Sequence, residues 1–291
     1  MLTQYTIKGL LNAASQQLEG KSDSAKLDVE ILLSFVLSKP RTYLFTWPEK
    51  ELSPEQLTSF NSLFNRRLKG EPIAYLVGQK EFWSLTLNVA PSTLIPRADT
   101  ETLVELVLEH HQERSLSCLD LGTGTGAIAL ALASENPTWQ VQGVDFNPDA
   151  VALAQSNAKL NQLEQVQFFQ SDWFSNLEEG VLFDVIVSNP PYIDVNDHHL
   201  DEGDVRFEPK TALVADNQGY SDIEIIVIQS RQYLSENGSL YIEHGFEQGA
   251  GVREIFSRYG FSNVVTAQDL SGNDRITFGF YRRNNNNEDL K

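Results

Sequence analysis

The sequence contains very little cysteine and no long apolar run. Its single cysteine, Cys118, lies in an apolar segment, so no intrachain disulfide can form and we expect a place in the core. No segment is apolar over the length that a membrane-spanning helix needs, and the polar first residues do not resemble a secretion signal. We therefore expect a cytoplasmic globular protein that does not interact with a membrane.

Metal-binding patterns are also missing from the sequence. His110 and His111 are adjacent, as are His198 and His199, and adjacent side chains point in different directions on a helix or strand. No further cysteines accompany them, so a zinc-type ligand set is not formed. We expect no metal site.

Basic residues are scarce. The chain holds 22 Lys and Arg against 40 Asp and Glu, a net charge of −18. Residues 1–80 hold 10 basic and 8 acidic residues, a net of +2, which leaves −20 for the remainder. Because neutralisation of phosphates supplies most of the affinity for nucleic acids, this balance argues against a nucleic-acid partner and favours a protein substrate. Acidity that only aids solubility would give the same totals.

Apolar periodicity predicts a helical first part followed by alternating helices and strands. Helical spacing covers residues 4–19, 24–38 and 53–69, and the alternation in residues 75–78 and 82–89 predicts a β-hairpin. Beyond residue 100, helices alternate with apolar strands, which predicts a doubly wound, mostly parallel α/β sheet. Helices are expected near 100–112, 127–135, 148–161, 220–235 and 247–258, and closing strands near 261–267 and 275–282.

These patterns divide the chain into four parts. We expect an N-terminal helical domain over residues 1–73, a hairpin linker over 74–95, an α/β domain over 96–283 and a flexible tail over 284–291. Residues 194–219 show no periodicity and are too many for an ordinary connection, which makes them a candidate lid.

A glycine-rich segment joins an apolar strand to a helix-forming run. It consists of Gly122, Thr123, Gly124, Thr125 and Gly126, hereafter the glycine loop. Such a loop lets a ligand approach the backbone closely, beside the free N–H groups of a helix N-terminus. Asp145 ends the next strand, where its carboxylate is suited to ribose hydroxyls, although it could instead cap the following helix. The spacing also satisfies a dinucleotide fingerprint, so NAD binding is a rival interpretation.

Two further strands end in polar residues that suit the same ligand. Asp172 and Trp173 follow the strand near 166–169, where a carboxylate and an indole can hold an adenine, although an ordinary turn residue is the alternative for Asp172. Asn189 follows the apolar strand near 183–188. Since ligands of open α/β sheets bind outside the carboxyl ends of the strands, all these residues are expected to meet in one crevice.

Asn189 begins a stiff segment with Pro190, Pro191 and Tyr192, hereafter the Asn-Pro-Pro-Tyr segment. Proline restrains its own φ and the residue before it, and neither proline has an N–H to donate. The segment therefore presents acceptors, the Asn189 side-chain oxygen and backbone carbonyls, next to an aromatic face. This arrangement suits a planar NH₂ group, which has two protons to donate. A plain strand-to-loop stop is the alternative.

Together these motifs resemble the S-adenosylmethionine-dependent methyltransferases, and among them the release factor glutamine N5-methyltransferases of the HemK type. The resemblance covers nearly the whole chain and has one departure, Ala98, which stands where the family has proline. Besides the glycine loop and the Asn-Pro-Pro-Tyr segment, it rests on residues 95–101, Glu208 and Pro209 with Ala212 and Leu213, residues 238–245 with Gln248, and residues 272–275.

The resemblance implies a seven-stranded methyltransferase sheet, S-adenosylmethionine as the cofactor, and peptide chain release factors as the protein substrate, methylated on the glutamine of Gly-Gly-Gln. It implies catalysis by Asn189, Pro190 and Tyr192. Cofactor binding is implied for Gly122, Thr123, Gly124, Thr125, Gly126, Asp145, Asp172, Trp173 and Asn189. Substrate binding is implied for the Asn-Pro-Pro-Tyr segment together with Arg97, Thr100 and Glu101.

Two other functions stay open on the sequence. Asn-Pro-Pro-Tyr also occurs in methyltransferases of nucleobase amino groups, so a nucleobase in RNA or DNA is an alternative substrate, although no module for base flipping is apparent. An NAD-dependent oxidoreductase is the second, and it leaves the Asn-Pro-Pro-Tyr segment without a role.

Overall fold

The computed structural model describes residues 6–112, 115–201 and 203–282, and the predicted tail 284–291 lies outside the described residues. The chain forms two compact units, one from Met1–Gln79 with Asp201–Phe207 and one from Lys80–Leu200 with Glu208–Lys291. The domain boundaries at residues 73, 95 and 283 stay predictions.

The first unit is helical, as predicted. Ser53 and Gln56 form a reciprocal capping box at the start of the fourth helix, where Pro54 occupies the first turn. Arg67 is buried and its Nε donates to Asp28 at 2.8 Å, so the charge inside this small core is paired. The helices are α1 Ile7–Leu18, α2 Ala25–Leu37, α3 Arg41–Thr46, α4 Pro54–Arg67 and α5 Ile73–Val77.

The strand predicted over residues 75–78 is wrong, because these residues belong mainly to α5. This helix ends at Gly78, which has a φ of +75°. The hairpin lies just beyond it, with strands β1 Gln79–Phe82 and β2 Leu85–Asn88. Its turn residues Trp83 and Ser84 both have positive φ, as a two-residue hairpin turn requires. A five-residue helix is too short to produce a helical period. The apolar alternation was therefore assigned to a strand, and the first strand of the hairpin was predicted a few residues too early.

The second unit contains a seven-stranded sheet between helices, and the predicted helices and strands are confirmed. The strands are β3 Ser117–Leu121, β4 Gln140–Asp145, β5 Gln167–Gln170, β6 Phe183–Ser188, β7 Leu234–Glu243, β8 Phe261–Gln268 and β9 Asp274–Tyr281. The helices are α6 Glu101–His110, α7 Ala127–Glu135, α8 Pro148–Leu160, α9 Asp216–Gly219, α10 Ser221–Tyr233 and α11 Gly249–Arg258.

The sheet has the order β5-β4-β3-β6-β7-β9-β8. Neighbouring strands from β5 to β7 are parallel, and only the pairs that involve β9 are antiparallel. The expected doubly wound, mostly parallel sheet is therefore confirmed. β3 lies between β4 and β6. The strands that follow β3 in sequence are therefore added first on one side, as β4 and β5, and then on the other side, from β6 onward. This change of direction opens a crevice at the carboxyl end of β3.

The register of the sheet brings the strand ends to one level. Leu121 at the end of β3 pairs with Val144 of β4 and with Ser188 of β6. Ser188 in turn pairs with Ile242 of β7. The residues that follow these positions are consequently neighbours along one edge of the sheet, which is where the candidate site lies.

The core of this unit fills both faces of the sheet. Every residue of α7 from Ala127 to Ala133 is buried, and Cys118 has no exposed surface, as expected of a core thiol. Among the described helices, none is long and apolar enough to cross a membrane. The described residues also hold no group of three His, Cys, Asp or Glu arranged for a metal ion.

The stretch from 194 to 219 contains short 3-10 helices at His198–Asp201, Gly203–Phe207 and Lys210–Ala212, followed by α9. Ile193 forms an isolated parallel bridge with Val214, which holds the two ends of the stretch together. Its function as a lid stays a prediction.

Candidate active site

A cavity of about 380 Å³ lies at the carboxyl ends of β3, β4, β5 and β6. This volume is within the usual range for small-molecule and cofactor sites. The cavity is lined by eleven of the residues predicted for the site, Arg97, Thr100, Gly122, Thr123, Gly124, Thr125, Asp145, Asp172, Trp173, Asn189 and Pro191. Gly126, Pro190, Tyr192 and Glu101 do not line it.

The glycine loop needs its glycines for two different reasons. Gly122, Gly124 and Gly126 have φ values of +68°, +55° and +82°, a region that other residues rarely adopt. A Cβ on Gly126 would lie 3.1 Å from the Phe168 ring, so this glycine also permits helix–sheet packing. A Cβ on Gly124 would have nothing closer than Thr93 at 4.0 Å, and Gly124 itself lines the cavity. Gly124 therefore keeps backbone accessible to a ligand.

Asp145 shapes the loop as well as facing the cavity. Its Oδ2 accepts a hydrogen bond from the Gly124 N–H at 2.9 Å, and its Oδ1 accepts one from Asn147 N–H at 2.8 Å. Burial raises the pKa of Asp145. The N-cap of α8 is Asn147, whose side chain accepts from Asp149 N–H, so capping is not the role of Asp145. Each carboxylate oxygen keeps lone-pair capacity for a ligand hydroxyl.

Asp120 is a second carboxyl under the loop, and sequence reasoning did not assign it a role. Its Oδ2 accepts from Thr123 Oγ1 at 2.6 Å and from Ala129 N–H at 3.3 Å, whereas Oδ1 has no hydrogen-bond partner among the described residues. Burial, with a smaller contribution from Asp145, raises its pKa to about 7. The signal was a carboxylate inside an otherwise apolar strand.

The far wall of the cavity is acidic and aromatic. Trp173 adopts a φ of +47° and its ring lies beside Gly122, 3.5 Å from where a Cβ would be. Asp172 is exposed, and Asp222 at the start of α10 lines the same wall. The pKa of Asp222 is raised by burial and by the neighbouring carboxylates of Asp216 and Asp172. Asp222 was missed because it is distant in sequence from the motifs.

Arg97 is the single cationic residue among the described residues that line the cavity. Its guanidinium forms an ion pair with the buried carboxyl of Glu208, which also accepts from Ile95 N–H at 3.2 Å. The charge of Arg97 is therefore already compensated. The carboxylates of Asp145, Asp172 and Asp222 face the cavity, and its described lining residues include no unpaired cation. This arrangement disfavours binding of a pyrophosphate and favours a ligand of net positive charge.

Asn189 is held by its amide nitrogen. Nδ2 donates to Thr100 Oγ1 at 3.2 Å, which leaves Oδ1 to accept from a ligand in the cavity. The strand before it is tied to β3 because Ser188 Oγ donates to Leu121 O at 2.8 Å. The segment after it is tied to α11, since Gln248 Nε2 donates to Tyr192 O at 3.0 Å. Gln248 had no predicted role, and this contact supplies one.

The remaining predicted residues lie outside the cavity lining. Pro190 is buried. The Tyr192 ring is partly buried against the core beneath α10 and α11, and burial raises the pKa of its hydroxyl. Glu101 accepts from Trp83 N–H at 2.9 Å and so supports the hairpin. Their predicted catalytic or binding roles stay predictions.

Asn157 on α8 is a further residue that supports the site. It is fully buried, and its Nδ2 donates to Thr125 O at 2.9 Å and to Asn88 O at 3.0 Å. One side chain thus holds both the glycine loop and β2. An isolated asparagine in a helix carries no sequence signal for such a role.

Comparison with known proteins identifies both units. A family model described as "PrmC N-terminal domain" matches residues 9–78, and one described as "Methyltransferase small domain" matches residues 97–204. A release factor glutamine methyltransferase from Aliivibrio fischeri is 57% identical over 276 residues, covering 94% of this chain and 97% of that protein. The enzyme of the same name from Escherichia coli is 51% identical over 271 residues, covering 93% and 97%.

Solved structures agree on the fold. A methyltransferase from Pyrococcus furiosus matches with a TM-score of 0.53 at 18% identity, covering 75% of this chain and 97% of that one. A Thermus thermophilus 16S rRNA N2 G1207 methyltransferase, solved with AdoMet and guanosine, matches with a TM-score of 0.53 at 20% identity, covering 70% and 50%. At such identities the likeness concerns the fold alone.

Proposed function

The chain belongs to the release factor glutamine methyltransferase family, and we propose that it transfers a methyl group from S-adenosylmethionine to the side-chain amide nitrogen (N5) of the glutamine in the Gly-Gly-Gln motif of peptide chain release factors. One observation carries the proposal most directly. The register of β3 and β6 brings the glycine loop and Asn189 to the same cavity, so a cofactor held by the loop and a substrate amide held by Asn189 would be neighbours.

The relatives support this substrate over the alternatives. The relatives that are 51–57% identical over more than 90% of the chain are named release factor glutamine methyltransferases. The 16S rRNA methyltransferase, which modifies a nucleobase, has a similar fold but is 20% identical. The acidic cavity wall also disfavours a polyanion. NAD, with its pyrophosphate, meets three carboxylates and a cation that is already paired, so the oxidoreductase interpretation is not supported.

The residues of the cavity fit S-adenosylmethionine. The backbone of the glycine loop is accessible at Gly124, and Asp145 retains acceptor capacity for ribose hydroxyls. Asp172 and Trp173 offer a carboxylate and a ring for an adenine. When bound, this cofactor supplies a methyl group activated by a sulfonium, and the carboxylates of the cavity favour its net positive charge.

Asn189 has the main task in catalysis under this proposal. An amide nitrogen is a poor nucleophile because its lone pair is delocalised into the carbonyl. Asn189 Oδ1 and the Pro190 carbonyl each accept one N–H of the substrate amide, which orients the nitrogen lone pair toward the methyl group. The same acceptors stabilise the positive charge that develops on nitrogen, and being rigid they need no reorganisation during the reaction.

The two prolines and Tyr192 support the clamp. The prolines restrain the backbone, so the carbonyl directions are set before the substrate binds. We propose that Tyr192 packs against the planar amide, as the family resemblance implies, and that Arg97, Thr100 and Glu101 shape the surrounding pocket. No group in the segment acts as a base, so the nitrogen, which is positively charged once it carries the methyl group, would lose one of its protons to solvent.

We propose that the first unit docks the protein substrate. It exposes Phe35, Phe45 and Trp47, each half exposed or more, and residues 1–80 carry a net positive charge unlike the rest of the chain. Exposed aromatic residues are typical anchors of protein interfaces. Docking of a release factor in this way needs no direct nucleic-acid contact, and the reaction belongs in the cytoplasm, where translation ends.

The proposed function is tested by incubating the protein with purified release factors and S-adenosylmethionine and analysing the peptides by mass spectrometry. We expect one added methyl group on the glutamine of Gly-Gly-Gln. A release factor with asparagine at that position is the matched control, since it keeps the amide but shortens its reach. Methylation of RNA in the same mixture, with no change in the glutamine peptide, would establish the nucleobase alternative instead.

A further inference from the structure

A buried glutamate lies beside the amide clamp. Glu243 ends β7 and is 1% exposed. Because Ser188 pairs with Ile242, the next residues on these strands, Asn189 and Glu243, are neighbours at the carboxyl edge of the sheet. Nothing in the proposed mechanism so far uses this carboxyl.

Thr100 is hydrogen-bonded to Asn189 and faces Glu243. The Thr100 hydroxyl accepts from Asn189 Nδ2 at 3.2 Å, and a hydroxyl that accepts in this way has its one proton left to donate. Burial is the main influence on the pKa of Glu243 and raises it, while Thr100 and, to a smaller extent, Asn189 act in the opposite direction, as polar groups that face a carboxylate do. Thr100 is 4% exposed, so this contact is shielded from water.

We propose that Glu243 is a positioning residue that acts through Thr100 to hold the Asn189 amide with its nitrogen inward and its oxygen toward the substrate. The proposal rests on the proposed function. An ionised carboxylate only accepts hydrogen bonds, so it selects the NH₂ end of an asparagine amide. Without it, the amide can rotate about its last bond and present NH₂ to the substrate nitrogen, where two donors would face each other.

The titratable groups around Glu243 come from three other parts of the chain. Arg275 lies on β9, Asp99 lies in the 3-10 turn Ala98–Thr100, and Tyr192 follows β6. Burial raises the pKa of Glu243 to about 7, with Asp99 acting in the same direction, while hydrogen bonding and the positive charge of Arg275 act against it. The carboxyl is therefore partly protonated near neutral pH.

Protonation would weaken the positioning. A protonated carboxyl can donate, so it no longer selects the NH₂ end of Asn189. Turnover of the full-length protein on a release factor is accordingly expected to rise with pH through an apparent pKa near 7 and to level off above it. Such a rise would identify an acceptor-only Glu243 as the active form.

Glu243→Gln tests the positioning while preserving shape. Glutamine has nearly the shape of the carboxyl, and Oε2 has no hydrogen-bond partner among the described residues that would fix which way the new amide points. Unlike a carboxylate, this amide can donate toward Thr100 as well as accept, so it no longer selects the NH₂ end of Asn189. We expect kcat to fall about tenfold at pH 8, the rise near pH 7 to disappear, and KM for the release factor and cofactor affinity to stay within about twofold. Thr100→Val should lose kcat similarly, whereas Thr100→Ser, which keeps the hydroxyl, should retain it.

A double-mutant cycle separates action through Asn189 from a merely structural role. Adding Glu243→Gln to Asn189→Ala should cost no further activity, since the group being positioned is already gone. An equal cost in both backgrounds, or a pH profile unchanged by Glu243→Gln, would overturn the positioning role. A fall in cofactor affinity or in thermal stability equal to the loss of kcat would also overturn it, as evidence of a structural role. Wild-type protein that leaves the glutamine unmodified would instead refute the proposed function, and the positioning role with it.

Discussion

Asp120→Asn should make the stability of the second unit less sensitive to pH. Asp120 is buried beneath the glycine loop, and its pKa is raised from 3.8 to about 7. Thr123 and Ala129 both donate to Oδ2, and Oδ1 has no partner among the described residues. An asparagine can therefore keep both hydrogen bonds through its oxygen and place its NH₂ where Oδ1 lies.

The magnitude follows from the pKa difference. Between about pH 4 and pH 7 the folded protein keeps the Asp120 proton while the unfolded chain has released it. Folding therefore binds a proton in this window, and the free energy of unfolding falls as pH rises. Each unit of pKa difference corresponds to about 1.4 kcal/mol, so the free energy of unfolding decreases by about 4 kcal/mol in total. About 3 kcal/mol of this decrease occurs between pH 5 and pH 8. The unpaired NH₂ of the variant costs about 1–3 kcal/mol at every pH and cancels from the slope.

Hydrogen exchange of the β3 amides is the suitable assay, because it reports the unit that contains Asp120 even if the two units unfold separately. Wild type is compared with Asp120→Asn at pH 5, 6, 7 and 8, so that intrinsic exchange rates cancel. Glu164→Gln, which removes an exposed carboxyl in the same unit, is the control. A wild-type-minus-variant difference that stays constant within about 0.5 kcal/mol over this range would refute the reasoning. It would mean that Asp120 remains ionised although buried.

Three further outcomes are expected. Asn189→Ala should lower turnover about 100-fold or more with cofactor affinity retained, and near wild-type methylation of glutamine would make Asn189 an ordinary turn residue. Gly124→Val should abolish cofactor binding in calorimetry, because φ is +55° and the added side chain enters the cavity. The double change Phe45→Ala and Trp47→Ala should raise KM for a whole release factor much more than for a short glutamine peptide, and an equal effect on both substrates would contradict docking.

The elements that could be predicted from sequence are those with a strong local cause. Three helices of the first unit and five of the second follow from apolar spacing, and the capping box at Ser53 marks one start directly. The glycine loop was recognisable because positive φ at three positions requires glycine. The short helices α3 and α5 were not, because five or six residues cannot display a helical period.

The chemistry of the site was likewise evident wherever one contiguous segment carries it. The glycine loop and the Asn-Pro-Pro-Tyr segment each combine a restrained backbone with the donors or acceptors that the proposed ligand needs, so neither depends on a distant residue to be recognised. Their meeting in one cavity was also predictable, since parallel strands bring their carboxyl ends to a common edge.

Only the tertiary structure decided which distant side chains hold that chemistry in place. Glu243 reaches Asn189 through the register of β7 on β6, Glu208 pairs with Arg97, and Gln248 binds the carbonyl of Tyr192. These contacts span tens of residues to more than a hundred, and no local period encodes them. A buried polar group must find a partner when the chain packs, and which partner it finds is set by register and packing rather than by its own neighbours in sequence. For that reason the segments of the site and their chemistry could be predicted from the sequence, whereas the contacts made by the residues that orient them could not.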